Sequence, residues 1–300
     1  RYLIIKRSAL GDIAQTFPVA EYLKDRDPTC HISWLAKPAC APLAAAHPCV
    51  DTVSPTQEPY EAIFDLQGTC RSSLYARTFR GVRVGFSFRS IPEWPAALLM
   101  QERIDVDETL PITDRYLQVA QRFFGDEKPY TPRFLPLRRD EGDVEWVDSL
   151  GVDGGVMVCP GSRWPNKQPS LSLWRDLVEE VRRLVIVFGS KEEEMLAQQI
   201  APDALHVGKL PFPRWQELMS RMERVIAVDS SALHIARGAG VPTLSLFGPS
   251  AASVYAPQME TDRSYQGNCP YGVTFTRRCP HLRTCPTGAC IKEISLRDTI

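Results

Sequence analysis

Short apolar runs recur along the chain, each followed by a turn and then by apolar positions at helical spacing. In the first half, residues 2–6, 32–35, 62–66 and 82–85 read as strands. The first strand leads through residues 7–12 into a helix reaching Lys24, with Ile13, Phe17, Ala20 and Leu23 near one face; Pro18 predicts a kink or a late start. Residues 131–155 break the pattern, with Pro132 and Pro136, a mixed-charge stretch at 138–143, and Gly151, Gly154 and Gly155. That is the composition of a linker. The pattern restarts with strands at 156–159, 184–188, 205–207, 225–228 and 243–247. Helices fall at 173–181, 192–200, 215–222 and from 232. The alternation predicts an α/β protein of two Rossmann-like halves, residues 1–145 and 146–290. Substrates are expected beyond the carboxyl ends of the strands, in a cleft between the halves.

Composition agrees with two domains: 300 residues, 44% hydrophobic and 24% charged. Thirty-five basic residues face 36 acidic ones for a net charge of −1, which argues against a nucleic-acid coat. No run approaches the ~18 apolar residues of a membrane span, and residues 1–6 are too short for a secretory signal, so the chain reads as soluble and cytoplasmic. Nine cysteines, an odd number, favour a reducing compartment. Four of them, Cys269, Cys279, Cys285 and Cys290, crowd one segment with Cys-x9-Cys-x5-Cys-x4-Cys spacing. That spacing lacks the tight knuckle of a strong zinc site, and a structural metal, disulfides and reduced thiols all stay open.

Four constellations carry chemistry. Lys6-Arg7-Ser8-Ala9-Leu10-Gly11-Asp12 runs from a strand into a helix; Asp12 suits either a helix cap or a general base for an acceptor hydroxyl. Asp229-Ser230-Ser231-Ala232-Leu233-His234 follows another strand, where a helix N-terminus and an imidazole suit a diphosphate. Gly161, Ser162 and Lys167 lie in a loop after a third strand and offer donors and a point charge for phosphate. Arg71, Arg77, Arg80, Arg83 and Arg89, with no acid among them, form either a solvated face or an anion-facing patch. Trp94 and the apolar stretch 96–100 follow, leaving room for a lipid surface.

Together these segments resemble glycosyltransferase family 9, the lipopolysaccharide heptosyltransferases. Residues 3–12 are similar to the family's opening strand and Ser-x-Leu-Gly-Asp loop. Tyr60-Glu61-Ala62-Ile63-Phe64-Asp65-Leu66-Gln67-Gly68 with Arg71-Ser72 resembles the middle motif of the type I enzymes. Asp229 to His234 and Phe247-Gly248-Pro249 resemble the donor signature, with Ser231 where the family usually has glycine.

The resemblance implies a GT-B fold and an inverting, metal-independent transfer of heptose from ADP-heptose to a Kdo–lipid A acceptor at the inner leaflet of the inner membrane. It implies Asp12 as base and Lys167, with Gly161 and Ser162, at the donor diphosphate. Asp229, Ser230, Ser231, Leu233 and His234 would hold sugar and phosphates, Glu193 the ribose, and backbone near Leu210 the adenine. Ser8, Gly11, Arg71 and Arg115 would face the acceptor, and a helix at 291–300 would return towards the first domain. Cleft closure would then bring Asp12 to the donor. Other readings are a type II enzyme, a GT-B transferase with another nucleotide sugar, a sugar-nucleotide 2-epimerase, or a non-catalytic nucleotide-sugar-binding protein.

Overall fold

The computed structural model describes residues 1–294. The chain forms two compact units, Arg1–Arg138 and Arg139–Ile300. The first is built on β1 (Tyr2–Ile5), β2 (Ile32–Leu35), β3 (Ala62–Asp65), β4 (Val82–Phe86) and β5 (Glu102–Ile104). All pairings are parallel and the order is β2-β1-β3-β4-β5. β1 and β3 are buried along their whole length, as strands in the middle of a parallel sheet should be, and β3 carries its burial through to the Asp65 carboxylate. The helices are α1 (Leu10–Ala14), α2 (Phe17–Arg26), α3 (Ala41–Ala46), α4 (Cys70–Ala76) and α5 (Ile112–Phe123). The single helix expected from residue 12 to 24 is two: Pro18 occupies the first turn of α2, where its missing N–H costs nothing.

The second unit begins with α6 (Glu141–Asp148), inside the stretch expected to be a linker. Its acids are a helix start: the Asp140 carboxylate accepts from the Asp143 N–H at 2.8 Å. Strands β6 (Gly155–Cys159), β7 (Leu184–Val187), β8 (Leu205–Val207), β9 (Met222–Val228), β10 (Thr243–Phe247) and β11 (Arg263–Gln266) follow. Interleaved are α7 (Leu171–Val178), α8 (Lys191–Ile200), α9 (Phe212–Ser220), α10 (Ser231–Gly238), α11 (Ala252–Tyr255) and α12 (Ala289–Lys292). The order β11-β10-β9-β6-β7-β8 is the Rossmann order read from the far edge. Val158, Trp174, Ile186, Val228 and Leu246 centre its core. Most of the helix expected over residues 291–300 lies outside the described residues.

Both sheets have a place where strand order reverses, and there the loops after two neighbouring strands diverge to leave a crevice. In the first unit it lies between β1 and β3, and in the second between β6 and β9. The loops at these four strand ends carry Asp12, Gln67, Lys167 and Asp229.

Candidate active site

In the second unit, the loop after β6 ends in a 3₁₀ turn, Pro165–Lys167, that leaves Lys167 only 6% exposed. Its ammonium donates to the Asp229 carboxylate just past β9 and lies 3.4 Å from the Asp229 carbonyl. The Ser250 hydroxyl, after β10, donates to the same carboxylate oxygen. Burial alone would raise the Asp229 pKa. The Lys167 charge and hydrogen bond, the Ser250 hydrogen bond and the Arg278 charge together hold it below the usual carboxylate range.

Ser230 takes the extended N-cap conformation of α10 without a side-chain cap bond, so no cap side chain covers the first-turn N–H groups there. Ser231 and His234 are half-buried on its first turns. Leu233 is fully buried, so a donor would meet its backbone and not its side chain. Ser162 is half-buried, and its hydroxyl accepts from the Trp164 N–H at 3.2 Å, which shapes the loop.

Gly161 leaves room for Glu193: a Cβ there would lie 2.4 Å from Glu193 Oε1, so any side chain at 161 displaces that carboxylate. The Glu193 carboxylate, early in α8, also accepts from the Gly189 N–H at 2.7 Å. The structure therefore brings Gly161 and Glu193 together beside the Lys167 loop. Leu210 is half-buried in the connection from β8 to α9.

Sequence reasoning missed Ser250 and Arg278. Ser250 directly follows the recognised Phe247-Gly248-Pro249, but Arg278 belongs to the cysteine-rich segment, which carried no sign of a place at this site. That segment is joined to the site loops. Cys279 N–H donates to the Pro249 carbonyl and Ala251 N–H to the Arg277 carbonyl, both at 2.7 Å. Asn166, next to Lys167, donates to the Leu282 and Cys285 carbonyls at 2.9 Å. The Arg278 guanidinium carbon lies 5.0 Å from the Tyr255 ring centroid.

The four clustered cysteines line one small cavity, and all nine are free thiols. Burial, then the neighbouring thiols, pushes Cys290 up to about 11. Among the described residues no group of three or more His, Cys, Asp or Glu is placed to hold a metal ion.

In the first unit, buried Asp65 folds the loop after β3. It accepts from the Gln67 and Gly68 N–H groups and from the Ser72 and Ser73 hydroxyls. Burial raises its pKa against those bonds. Gln67 Oε1 then takes the Arg7 and Ser8 N–H groups at 2.9 and 3.1 Å, fixing the loop after β1. Half-buried Asp12 sits in the first turn of α1, near half-buried Ser8 and Gly11, and its carboxylate accepts from the Ala9 N–H at 2.8 Å. Ala9 and not Asp12 is the N-cap of α1; Asp12 stands three residues on and bonds back to the cap N–H, which fixes the carboxylate's position.

Of the five-arginine stretch, Arg71, Arg77, Arg80 and Arg89 are exposed and Arg83 is not. Arg83 is half-buried and donates to the Leu99 carbonyl at 2.9 Å, because it falls within β4. Arg115 is 1% exposed, and its guanidinium donates to the Glu108 and Leu110 carbonyls. It braces the start of α5 and presents no open face to an acceptor. Arg71 is exposed and shares Tyr75 with Arg7, which sequence reasoning had left without a binding role: the Arg7 guanidinium lies 4.2 Å from the Tyr75 ring centroid. The Arg71 hydrogen bond, then the Arg7 charge, draws the Tyr75 phenol below its usual pKa.

Comparison with known proteins gives this geometry a context. The family model for glycosyltransferase family 9 (heptosyltransferase) matches residues 56–282. Lipopolysaccharide heptosyltransferase 1 of Escherichia coli K12 is 21% identical over 291 residues, covering 83% of this chain and 88% of that protein. Lipopolysaccharide heptosyltransferase 2 of the same strain is 23% identical over 300 residues, covering 86% and 85%. The structure of E. coli heptosyltransferase WaaC with ADP superposes with a TM-score of 0.75 at 18% identity, covering 88% of this chain and 92% of that one. Two parallel α/β units that superpose in this way give the chain the GT-B fold. Within that class, the chain belongs to glycosyltransferase family 9, the heptosyltransferases.

Proposed function

We propose that this enzyme moves heptose from ADP-heptose to the Kdo of a lipid A-type acceptor in lipopolysaccharide core synthesis, as a type I heptosyltransferase working peripherally at the cytoplasmic face of the inner membrane. The observation that carries the reading is the Lys167–Asp229 pair at the strand-order reversal of the second unit, beside the N-terminus of α10. Lys167 and the α10 dipole supply positive charge, and the His234 imidazole a hydrogen-bond donor, where the departing diphosphate gains negative charge, which favours breaking the bond from the anomeric carbon to ADP. Asp12 takes the proton of the acceptor hydroxyl as that oxygen attacks the opposite face, so configuration inverts. These residues supply the charge stabilisation without a metal ion. Arg7 and Arg71 face the acidic acceptor. The type I assignment rests on the Tyr60 to Ser72 motif, since relatives of both types match at similar identity.

The test is a thermal-shift panel of ADP-, UDP- and GDP-sugars followed by a transfer assay with Asp12→Ala. Stabilisation by ADP-sugars and loss of transfer with ADP binding retained are expected. Stabilisation by UDP- or GDP-sugars alone would overturn the donor, and transfer at the parent rate would overturn the base.

A further inference from the structure

Eight large hydrophobic side chains are markedly exposed among the described residues, and five fall between residues 74 and 98: Leu74 (56%), Tyr75, Phe88, Trp94 (64%) and Leu98 (59%). They belong to one face of the first unit. α4, which carries Leu74 and Tyr75, packs against the 3₁₀ turn Trp94–Leu99. Arg103 ties Phe88 to that turn, its guanidinium carbon 5.4 Å from the Phe88 ring centroid and its Nε donating to the Ala97 carbonyl at 3.0 Å.

Arginines surround these side chains. Arg71, Arg77, Arg89 and Arg103 are exposed, and Arg7 lies over Tyr75. The acids nearby are Glu93, which accepts from the Cys70 N–H, Glu102, and Asp105, which accepts from the Ser87 hydroxyl, so the five arginines outnumber three acids on the face. Large apolar side chains left in water gain nothing there, whereas inside a cationic rim they match an interface of acyl chains beneath anionic headgroups.

We propose that this face is a docking surface for a membrane bearing anionic lipid headgroups, with Trp94, Leu98 and Phe88 entering the headgroup–acyl boundary. The proposal deepens the acceptor reading and rests on it for the choice of a membrane as occupant. It places a lipid-linked substrate beside Arg7 and Arg71 without requiring it to leave the bilayer.

Vesicle sedimentation tests it separately from donor binding. The full chain should sediment with vesicles of mixed phosphatidylglycerol and phosphatidylcholine, and much less with phosphatidylcholine alone or at high salt. Trp94→Ala/Leu98→Ser should partition about tenfold or more weakly, with ADP binding unchanged as the control for folding. Brominated lipid should quench tryptophan fluorescence in the parent and less in Trp94→Phe. Absence of binding to anionic vesicles, or equal binding by the double variant, would overturn the proposal. So would a concentration-dependent dimer lost in the double variant, which would make the occupant a second copy of the chain. Failure to bind ADP would leave the vesicle result standing and strike the proposed reaction instead.

Discussion

Replacing Lys167 by Met removes one partner of a buried pair whose side chains are 8% and 12% exposed, and leaves the Asp229 carboxylate with Ser250 and the more distant Arg278 charge. Breaking a buried pair from one side costs about 3–5 kcal/mol, and the partners Asp229 keeps place this case near the lower end, about 3 kcal/mol. For a unit of about 160 residues, at ~2–4 °C per kcal/mol, the second unit's melting temperature should fall by roughly 6–12 °C at neutral pH. The pH dependence has a definite sign. In the parent the folded pKa of Asp229 is lowered, so its contribution is present at neutral pH and lost as pH falls through that lowered value. Without Lys167, burial dominates and raises the folded pKa, so the penalty should shrink as pH drops towards and below ~4. Calorimetry of parent and variant at pH 7 and at pH 4 measures both effects. Lys167→Met/Asp229→Asn should recover much of the stability while remaining inactive. An unchanged melting temperature at pH 7, or a gap that widens towards acid, would refute the pairing.

Gly161→Ala should push the Glu193 carboxylate from its place 2.4 Å from the new Cβ, weakening ADP binding about tenfold with folding intact; calorimetric titration with ADP checks it, and unchanged affinity would remove Glu193 from the donor site. Arg278→Ala should weaken ADP while sparing adenosine, and Arg278→Lys should restore part of the difference; equal losses for both ligands would make Arg278 merely structural. Glu21, a buried residue of α2, accepts from the Arg133, Phe134 and Leu135 N–H groups at 2.8–3.1 Å. Burial raises its pKa, but the bonds from His47 and those N–H groups bring it below the usual value. Glu21→Gln should therefore destabilise the first unit at neutral pH, with the gap closing in acid below ~4.3; denaturant melts against pH test this.

Much of the fold could be read from the chain because central parallel strands are unbroken apolar runs. β1 and β6 announce themselves that way, and each is followed by a loop that carries candidate site residues. The edge strands β5 and β11 were invisible: Glu-Arg-Ile and Arg-Ser-Tyr-Gln are polar and exposed, and neither face needs an apolar pattern. α6 was mistaken for linker because the acids that start a helix also populate loops. At the site, Lys167, Asp229 and the α10 N-terminus were legible from their position just past strands. Arg278 was not, since its place depends on hydrogen bonds between Pro249, Ala251 and a segment nearly 30 residues downstream. Arg115 and Arg83 misled for the converse reason: charge alone does not reveal that a guanidinium is bound to backbone carbonyls inside the unit.

The central claim is the transfer itself. Incubating the enzyme with ADP-heptose and Kdo–lipid A, with and without EDTA, and following ADP release together with the acceptor's mass tests it directly. One heptose added per acceptor, ADP released in equal amount, inverted configuration and no effect of EDTA are predicted. No mass gain on this acceptor, with transfer only to one that already carries a heptose or only from another nucleotide sugar, would contradict the account.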